Sequence, residues 1–193
     1  MQPPAVARPA DPAAVRLLVL DVDGVMTDGR IWVDESGNQI RGFCTQDGTA
    51  VALWHRAGGQ TAVVTAKSSE AVARRVRQLG IRHYACGDEN KLVGFLRVAR
   101  EAGIPPEAAC YVGDDVLDLP PMRACGYPVA VANAVAEVRE IAAYVTGRRG
   151  GEGAVREVIE HLLRRQGAWA GVLADLIAEM TAAAGPDAGM APG

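Results

Sequence analysis

From Leu17 onward, short apolar runs of β type alternate with longer segments of helical period, a pattern that restricts the chain to a sheet clothed in helices. The candidate strands are Leu17–Val22, Thr61–Thr65, His83–Ala85, Ala109–Val112 and Tyr127–Val131. Between them, helical period covers Gly48–Arg56, Ser68–Leu79, Asn90–Ala102, Leu117–Ala124 and Val135–Ala142. Strands separated by helices are expected to run parallel with right-handed crossovers. The expected fold class is therefore α/β, a Rossmann-like parallel sheet with helices on both faces. One segment breaks the rhythm. GRIWVDESGNQIRGF, Gly29–Phe43, has β-type arms around a turn at Asp34-Glu35-Ser36-Gly37-Asn38 and reads as an inserted β-hairpin, standing where a separate lid or cap domain could have been.

With 193 residues, 49% of them hydrophobic, the chain can fill one core and needs no second domain. Residues 1–15 are rich in proline and short side chains and read as a disordered lead-in, with no apolar stretch resembling a signal peptide or a membrane span. Residues 16–167 form the expected domain, and 168–193 a C-terminal helix and tail. That helix, Trp169 to about Ala182, is apolar enough to need a partner surface, and the AAAGPDAGMAPG ending is expected to be disordered. A net charge of −3 with scattered basic pairs gives no nucleic-acid footprint. Cys44, Cys86, Cys110 and Cys125 form no CxxC pair, so they read as reduced thiols of a cytoplasmic protein and not as a zinc site or disulfide framework.

Polar residues gather at the strand ends. Asp21 and Asp23 end the first strand and Thr65 the second; Lys91 opens the helix after the third, and Gly113-Asp114-Asp115 with Asp118 follows the fourth. In open parallel sheets the carboxyl ends of the strands form the ligand crevice, which would bring these residues together. Asp21, Asp23 and Asp114 cannot share a site without a counter-charge, and oxygen-only ligands favour a hard cation, Mg2+ before Ca2+. Beside Lys91 and Thr65 such an ion suits phosphoryl transfer, with a carboxylate as nucleophile. Asp21 would attack phosphorus, while Asp23 would give a proton to the leaving oxygen and then activate the hydrolytic water.

DVDGVMTDG, the VVTAK segment, Lys91 and GDDVLD resemble, in order and spacing, the four motifs of the haloacid dehalogenase superfamily. The hairpin, the FCTQDG segment and GGEGAVREVIEHLL are similar to its capless subgroup of sugar-acid phosphatases that includes 3-deoxy-D-manno-octulosonate 8-phosphate phosphatase. The resemblance implies a sugar-acid phosphate substrate, Asp21 as nucleophile, Asp23 as general acid and base, and Thr65 and Lys91 on the phosphoryl oxygens. It implies Mg2+ held by Asp21, Asp114 and the Asp23 backbone carbonyl, with Asp115 and Asp118 behind them and Asp118 holding Lys91 or a metal water. It also implies substrate contacts at Gln46, Asp47, Gly48, Lys67, Arg75, Arg148 and Arg149, and a homotetramer in which Gly29–Phe43 lines a neighbour's pocket.

The chain departs from the subgroup at Ala66 and Lys67, where Gly and Arg are usual, and at Ala52, a second basic position. Lys keeps the charge of Arg but not its planar fork, so a nonulosonate 9-phosphate of the sialic-acid type stays open beside the eight-carbon acid. Two readings come from other classes. A receiver domain also gathers acids, a Thr and a Lys on a parallel sheet, but its phosphorylated Asp closes the third strand. A non-catalytic phosphatase-like oligomerisation module would tolerate loss of motif residues, and here each is present. Singly, Thr65 fits an ordinary strand end, Lys91 a solvated helix residue and Asp115 a helix N-terminal acid. His55, His83 and His161 have no partner at ligand spacing and read as surface or packing residues.

Overall fold

The structure is a computed structural model that describes residues 11–184. Strand β1 is Leu17–Leu20, β4 Gln60–Thr65, β5 His83–Cys86, β6 Ala109–Gly113, β7 Tyr127–Ala130 and β8 Tyr144–Val145; Trp32–Val33 (β2) and Gln39–Ile40 (β3) form the separate hairpin. The six main strands are parallel in the order β5-β4-β1-β6-β7-β8. The helices are α1 Thr45–Arg56, α2 Glu70–Gln78, α3 Lys91–Ala102, α4 Leu119–Ala124, α5 Ala136–Ile141, α6 Ala154–Arg165 and α7 Trp169–Ala184. One layer contains α1 and α6 packed together with α7 against both, and α3, α4 and α5 pack as another. No helix among the described residues is long and apolar enough to cross a membrane.

β1 sits between β4 and β6, and all four of its side chains are fully buried, which is why its sequence is an unbroken Leu-Leu-Val-Leu instead of an alternation. It pairs with both neighbours in register, Leu20 opposite Val63 on one side and Val112 on the other. From β1 the chain builds outward to β4 and β5, then returns to add β6, β7 and β8 on the other side. The topological switch point thus falls between β1 and β6, where a parallel sheet opens a crevice at its carboxyl edge.

The expected strands and helices all form, with shifted ends. β1 stops at Leu20, two residues early, because the chain leaves the sheet there and turns, which puts Asp21 and Asp23 at the carboxyl edge of the sheet. α1 begins at Thr45, three residues before the apolar period does, and Asp47 in its first turn accepts a hydrogen bond from the Arg156 backbone N–H (2.9 Å), capping the start of α6. β8, only two residues long, has too little sequence to show a period. Of the lead-in segment, Pro12–Ala14 makes one 3-10 turn and Val15 joins the core; residues 1–10 lie outside the described residues, as does the tail from 185.

The apolar C-terminal helix finds its partner surface within the chain. Trp169 and Val172 are buried and Leu173 and Leu176 partly so, while Arg56 pairs with Glu179 at 2.6 Å. The hairpin differs: Trp32 faces Ile40 across the strands, yet Trp32, Val33 and Ile40 are 63%, 64% and 57% exposed. None of the three serves the core of its own chain.

Candidate active site

The loop after β1 is built around Thr27. Its fully buried hydroxyl accepts from the Gly24 and Gly29 N–H groups (3.3 and 3.2 Å) and donates to the Val22 carbonyl (3.3 Å). Gly24 has φ +98°, open to glycine and strained for other residues, and a Cβ there would run into the Asp114 carboxylate. The glycine therefore sets the turn and makes room for Asp114 against the strand-end aspartates. On the far side the glycine-rich loop braces this turn: Gly151 N–H bonds the Val25 carbonyl (3.2 Å), and Asn133 bridges Gly150 N–H (2.7 Å) to the Gly24 carbonyl (3.0 Å). A side chain at Gly150 would collide with that same carbonyl.

Five side chains meet at the switch point. Lys91 Nζ lies 2.9 Å from Asp21 Oδ1 and 2.7 Å from Asp118 Oδ1. Asp118 is fully buried and every donor around it is aimed inward: besides Lys91, Tyr111 OH donates to Oδ1 (3.0 Å), and the Asp114 and Asp115 N–H groups donate to Oδ2 (3.0 and 3.2 Å). Asp21, Asp114 and Asp118 each bring an oxygen within 4.8 Å of the others. Asp21, Asp23, Thr65, Lys67, Lys91, Asp114 and Asp115 line a crevice of about 140 Å3, with Asp118 buried behind it. A larger cleft, about 320 Å3, lies at the opposite edge of β4 and β5 around His55, Gln60 and His83, without the carboxylates.

Three carboxylates face one ammonium, and the electrostatics carry that imbalance. Burial, reinforced by the charge of Asp118, pushes the Asp21 carboxyl well above its usual range although Lys91 opposes the shift. Burial and then Asp118 push Asp114 up to about 7. The Lys91 ammonium is held above its ordinary value by Asp21 and Asp118, against the opposing effect of burial. Asp114 Oδ1 is buried with no hydrogen-bond partner. An orphaned carboxylate oxygen beside a second carboxylate fits a hard divalent cation.

A haloacid dehalogenase-like hydrolase profile matches residues 44–126. The Escherichia coli 3-deoxy-D-manno-octulosonate 8-phosphate phosphatase KdsC is 40% identical over 153 residues, spanning 79% of this chain and 81% of its own. This chain belongs to that phosphatase family. Among solved structures, the Moraxella catarrhalis 3-deoxy-D-manno-octulosonate 8-phosphate phosphatase, in complex with magnesium ion, phosphate ion and a KDO molecule, has a TM-score of 0.83 at 33% identity, covering 86% of this chain and 95% of that one. The Yersinia pestis 3-deoxy-D-manno-octulosonate 8-phosphate phosphatase has a TM-score of 0.81 at 36% identity, over 83% and 87%.

In this member of the phosphatase family, Asp21, Asp23, Thr65, Lys91 and Asp114 converge as the motif order suggests, and Lys67 joins them at the exposed rim. The two acids behind them separate: Asp118 turns inward, whereas Asp115 caps its own turn by accepting from Val116 N–H at 2.7 Å. The other candidate substrate contacts gather away from the crevice lining. Arg75 lies over the Phe43 ring and donates to the Cys44 carbonyl (3.4 Å), with Gly48 beneath its guanidinium. Gln46 accepts from Arg148 (3.4 Å), Asp47 is buried against α6, and Arg149 is exposed.

Four residues that pattern reading leaves out help build the site: Thr27, Arg41, Tyr111 and Asn133. Thr27 carried a signal, the T of DGxxTDG, where a small hydroxyl residue three positions after a glycine can close a turn. The other three act across the chain, and no local pattern marks them. His55, His83 and His161 pack as read: His55 faces Thr61, His83 faces Gln60, and His161 stacks on Tyr144 with ring centroids 4.3 Å apart.

Proposed function

We propose that this enzyme is a Mg2+-dependent phosphatase that hydrolyses 3-deoxy-D-manno-octulosonate 8-phosphate through an aspartyl-phosphate. The observation that carries the reading is the Asp21–Lys91–Asp118 chain of contacts beside the orphaned Asp114 oxygen at the mouth of the parallel sheet. Asp21 is the nucleophile: one of its oxygens forms a bond to phosphorus as the bond to the sugar oxygen breaks, and Asp23 gives that departing oxygen its proton. Asp23, now ionised, takes a proton from water as the water oxygen bonds phosphorus and the bond to Asp21 breaks. Lys91 and the Thr65 hydroxyl hold the phosphoryl oxygens, and Asp118 holds Lys91. Asp21, Asp114 and the Asp23 backbone carbonyl would hold Mg2+, whose charge, when bound, neutralises the transferring group.

Lys67 and Ala66 at the rim, and Ala52 on α1, leave the sugar-acid contacts different from those of the subgroup. The decisive experiment is therefore phosphate release from the eight-carbon sugar-acid phosphate, a nonulosonate 9-phosphate and common sugar phosphates, with Mg2+ present. Fastest turnover of the eight-carbon acid supports the reading. Preference for the nine-carbon acid would transfer it to the sialic-acid type, and a Mg2+-dependent profile flat across all of them would remove the substrate assignment. No activity at all would favour a non-catalytic oligomerisation module. The free cysteines suit a cytoplasmic enzyme.

Metal binding can be read without turnover. Asp21 and Asp114 have raised carboxyl pKa values, so in EDTA the folded state keeps protons that the unfolded chain releases. Stability in EDTA should then fall as pH rises from the ordinary 3.8 toward about 7. Mg2+ should raise the melting temperature by several degrees at about pH 8 and little at about pH 5, where protons compete for its ligands. No shift at the higher pH would mean the cluster holds no such ion.

For assembly we propose a homotetramer in which the exposed Trp32, Val33 and Ile40 of each hairpin meet a neighbouring subunit, with Arg148 and Arg149 reaching toward the anionic substrate. A two-stranded hairpin is marginal alone, and three large apolar side chains at its arms need a cover. Sedimentation of a fully active monomer would refute this.

A further inference from the structure

Asp23 has one side-chain partner among the described residues, and it comes from the hairpin. Arg41, directly after β3, sends Nε to Asp23 Oδ1 at 2.7 Å and Nη2 to Oδ2 at 3.3 Å, gripping both carboxylate oxygens with one planar fork. Its third nitrogen, Nη1, donates to Gln39 Oε1 (3.1 Å) and to Ser69 Oγ (3.3 Å) just before α2. Only 1% of the Arg41 side chain is exposed, although it leaves a hairpin whose arms are largely solvent-facing. Fixing a long side chain this way costs it rotamer freedom, and its four contacts define one placement for the guanidinium and hence for the carboxylate it holds.

We infer that Arg41 is a positioning residue for Asp23: it fixes the rotamer from which Asp23 meets the leaving oxygen, and it ties that rotamer to the root of the hairpin. The inference rests on the reading of Asp23 as the group that protonates the leaving oxygen. Without Arg41 the Asp23 carboxyl would sample several rotamers, and proton delivery falls steeply with misplacement. The hairpin then serves its own subunit's chemistry through its base, whatever its exposed arms meet.

A leaving-group series isolates this role. For substituted phenyl phosphates, kcat/KM reports the steps through formation of the aspartyl-phosphate. Nitrophenolate leaves without a proton, whereas phenolate gains most from one. Arg41→Gln is expected to lose no more than about threefold in kcat/KM on the nitrophenyl ester and about tenfold or more on the phenyl ester, steepening the dependence on leaving-group basicity. Arg41→Lys, which keeps the charge but not the fork, should fall between and guards against a glutamine variant that does not fold. A loss equal across the series in Arg41→Lys, or no loss, would overturn the inference by showing that Arg41 serves the fold or general anion binding. Absence of Mg2+-dependent hydrolysis in the wild type would instead overturn the phosphatase reading itself.

Discussion

Asp21→Asn is expected to cut kcat by more than about 10³-fold on every phosphate ester, because an amide oxygen is too weak a nucleophile to form the aspartyl-phosphate. The same substitution should leave the protein folded and, in EDTA at about pH 8, at least as stable as the wild type. Asp21 carries a buried charge that burial and Asp118 both disfavour, and an amide of nearly the same shape removes that charge. Lys91 keeps its 2.7 Å partner Asp118, so no cation is orphaned. Loss of activity without loss of stability is the signature of a residue kept for chemistry. A variant that melts well below the wild type would show that Asp21 holds the fold together through Lys91, and near-native turnover with saturating Mg2+ would remove the covalent mechanism. Phosphate release and thermal melting on one preparation decide both points.

The elements that position this site were legible because each is short-range. An apolar run that halts at an aspartate must be a buried strand reaching the edge of the sheet, and Leu17–Leu20 does this on both of its faces. The FCTQDG segment was harder to read. The resemblance implies substrate contacts at Asp47 and Gly48, while the sequence does not show the packing each also does: the carboxylate caps α6, and the glycine makes room for Arg75, whose guanidinium a Cβ there would press. Arg41 was invisible for a different reason. Its partners Asp23 and Ser69 stand 18 and 28 positions away, and only closure of the hairpin over the strand ends brings the three together. For the glycine-rich loop the resemblance implies substrate contacts at Arg148 and Arg149. Its glycines answer a nearer need, the close approach of two backbones at Gly24 and Gly150.

In GDDVLD Asp115 reads as a helix N-terminal acid while the resemblance gives Asp118 the task of holding Lys91, and substitution should separate them sharply. The tight turn at Val116–Asp118 points Asp118 back toward β6, where Lys91, Tyr111 and two backbone N–H groups all donate to it; Asp115 stays at the surface and caps its own turn. Asp115→Ala should therefore cost about 1 kcal/mol, the usual loss for a helix N-cap. In Asp118→Asn an NH2 group replaces one of two oxygens that are each surrounded by donors, so some N–H or ammonium must face another donor. Relief of repulsion with Asp21 and Asp114 offsets part of the loss, but charge-assisted hydrogen bonds at a fully buried position are the larger quantity, and a net destabilisation of about 2–4 kcal/mol is expected. Activity should fall as well, by about 10²-fold, because Lys91 is left to pair with Asp21 alone and is drawn onto the nucleophile it should share with the phosphoryl oxygens. Denaturant unfolding and kcat for the two variants check this together. Equal, small effects at both positions would mean that the inward network of Asp118 is neither holding the strand ends nor setting the position of Lys91.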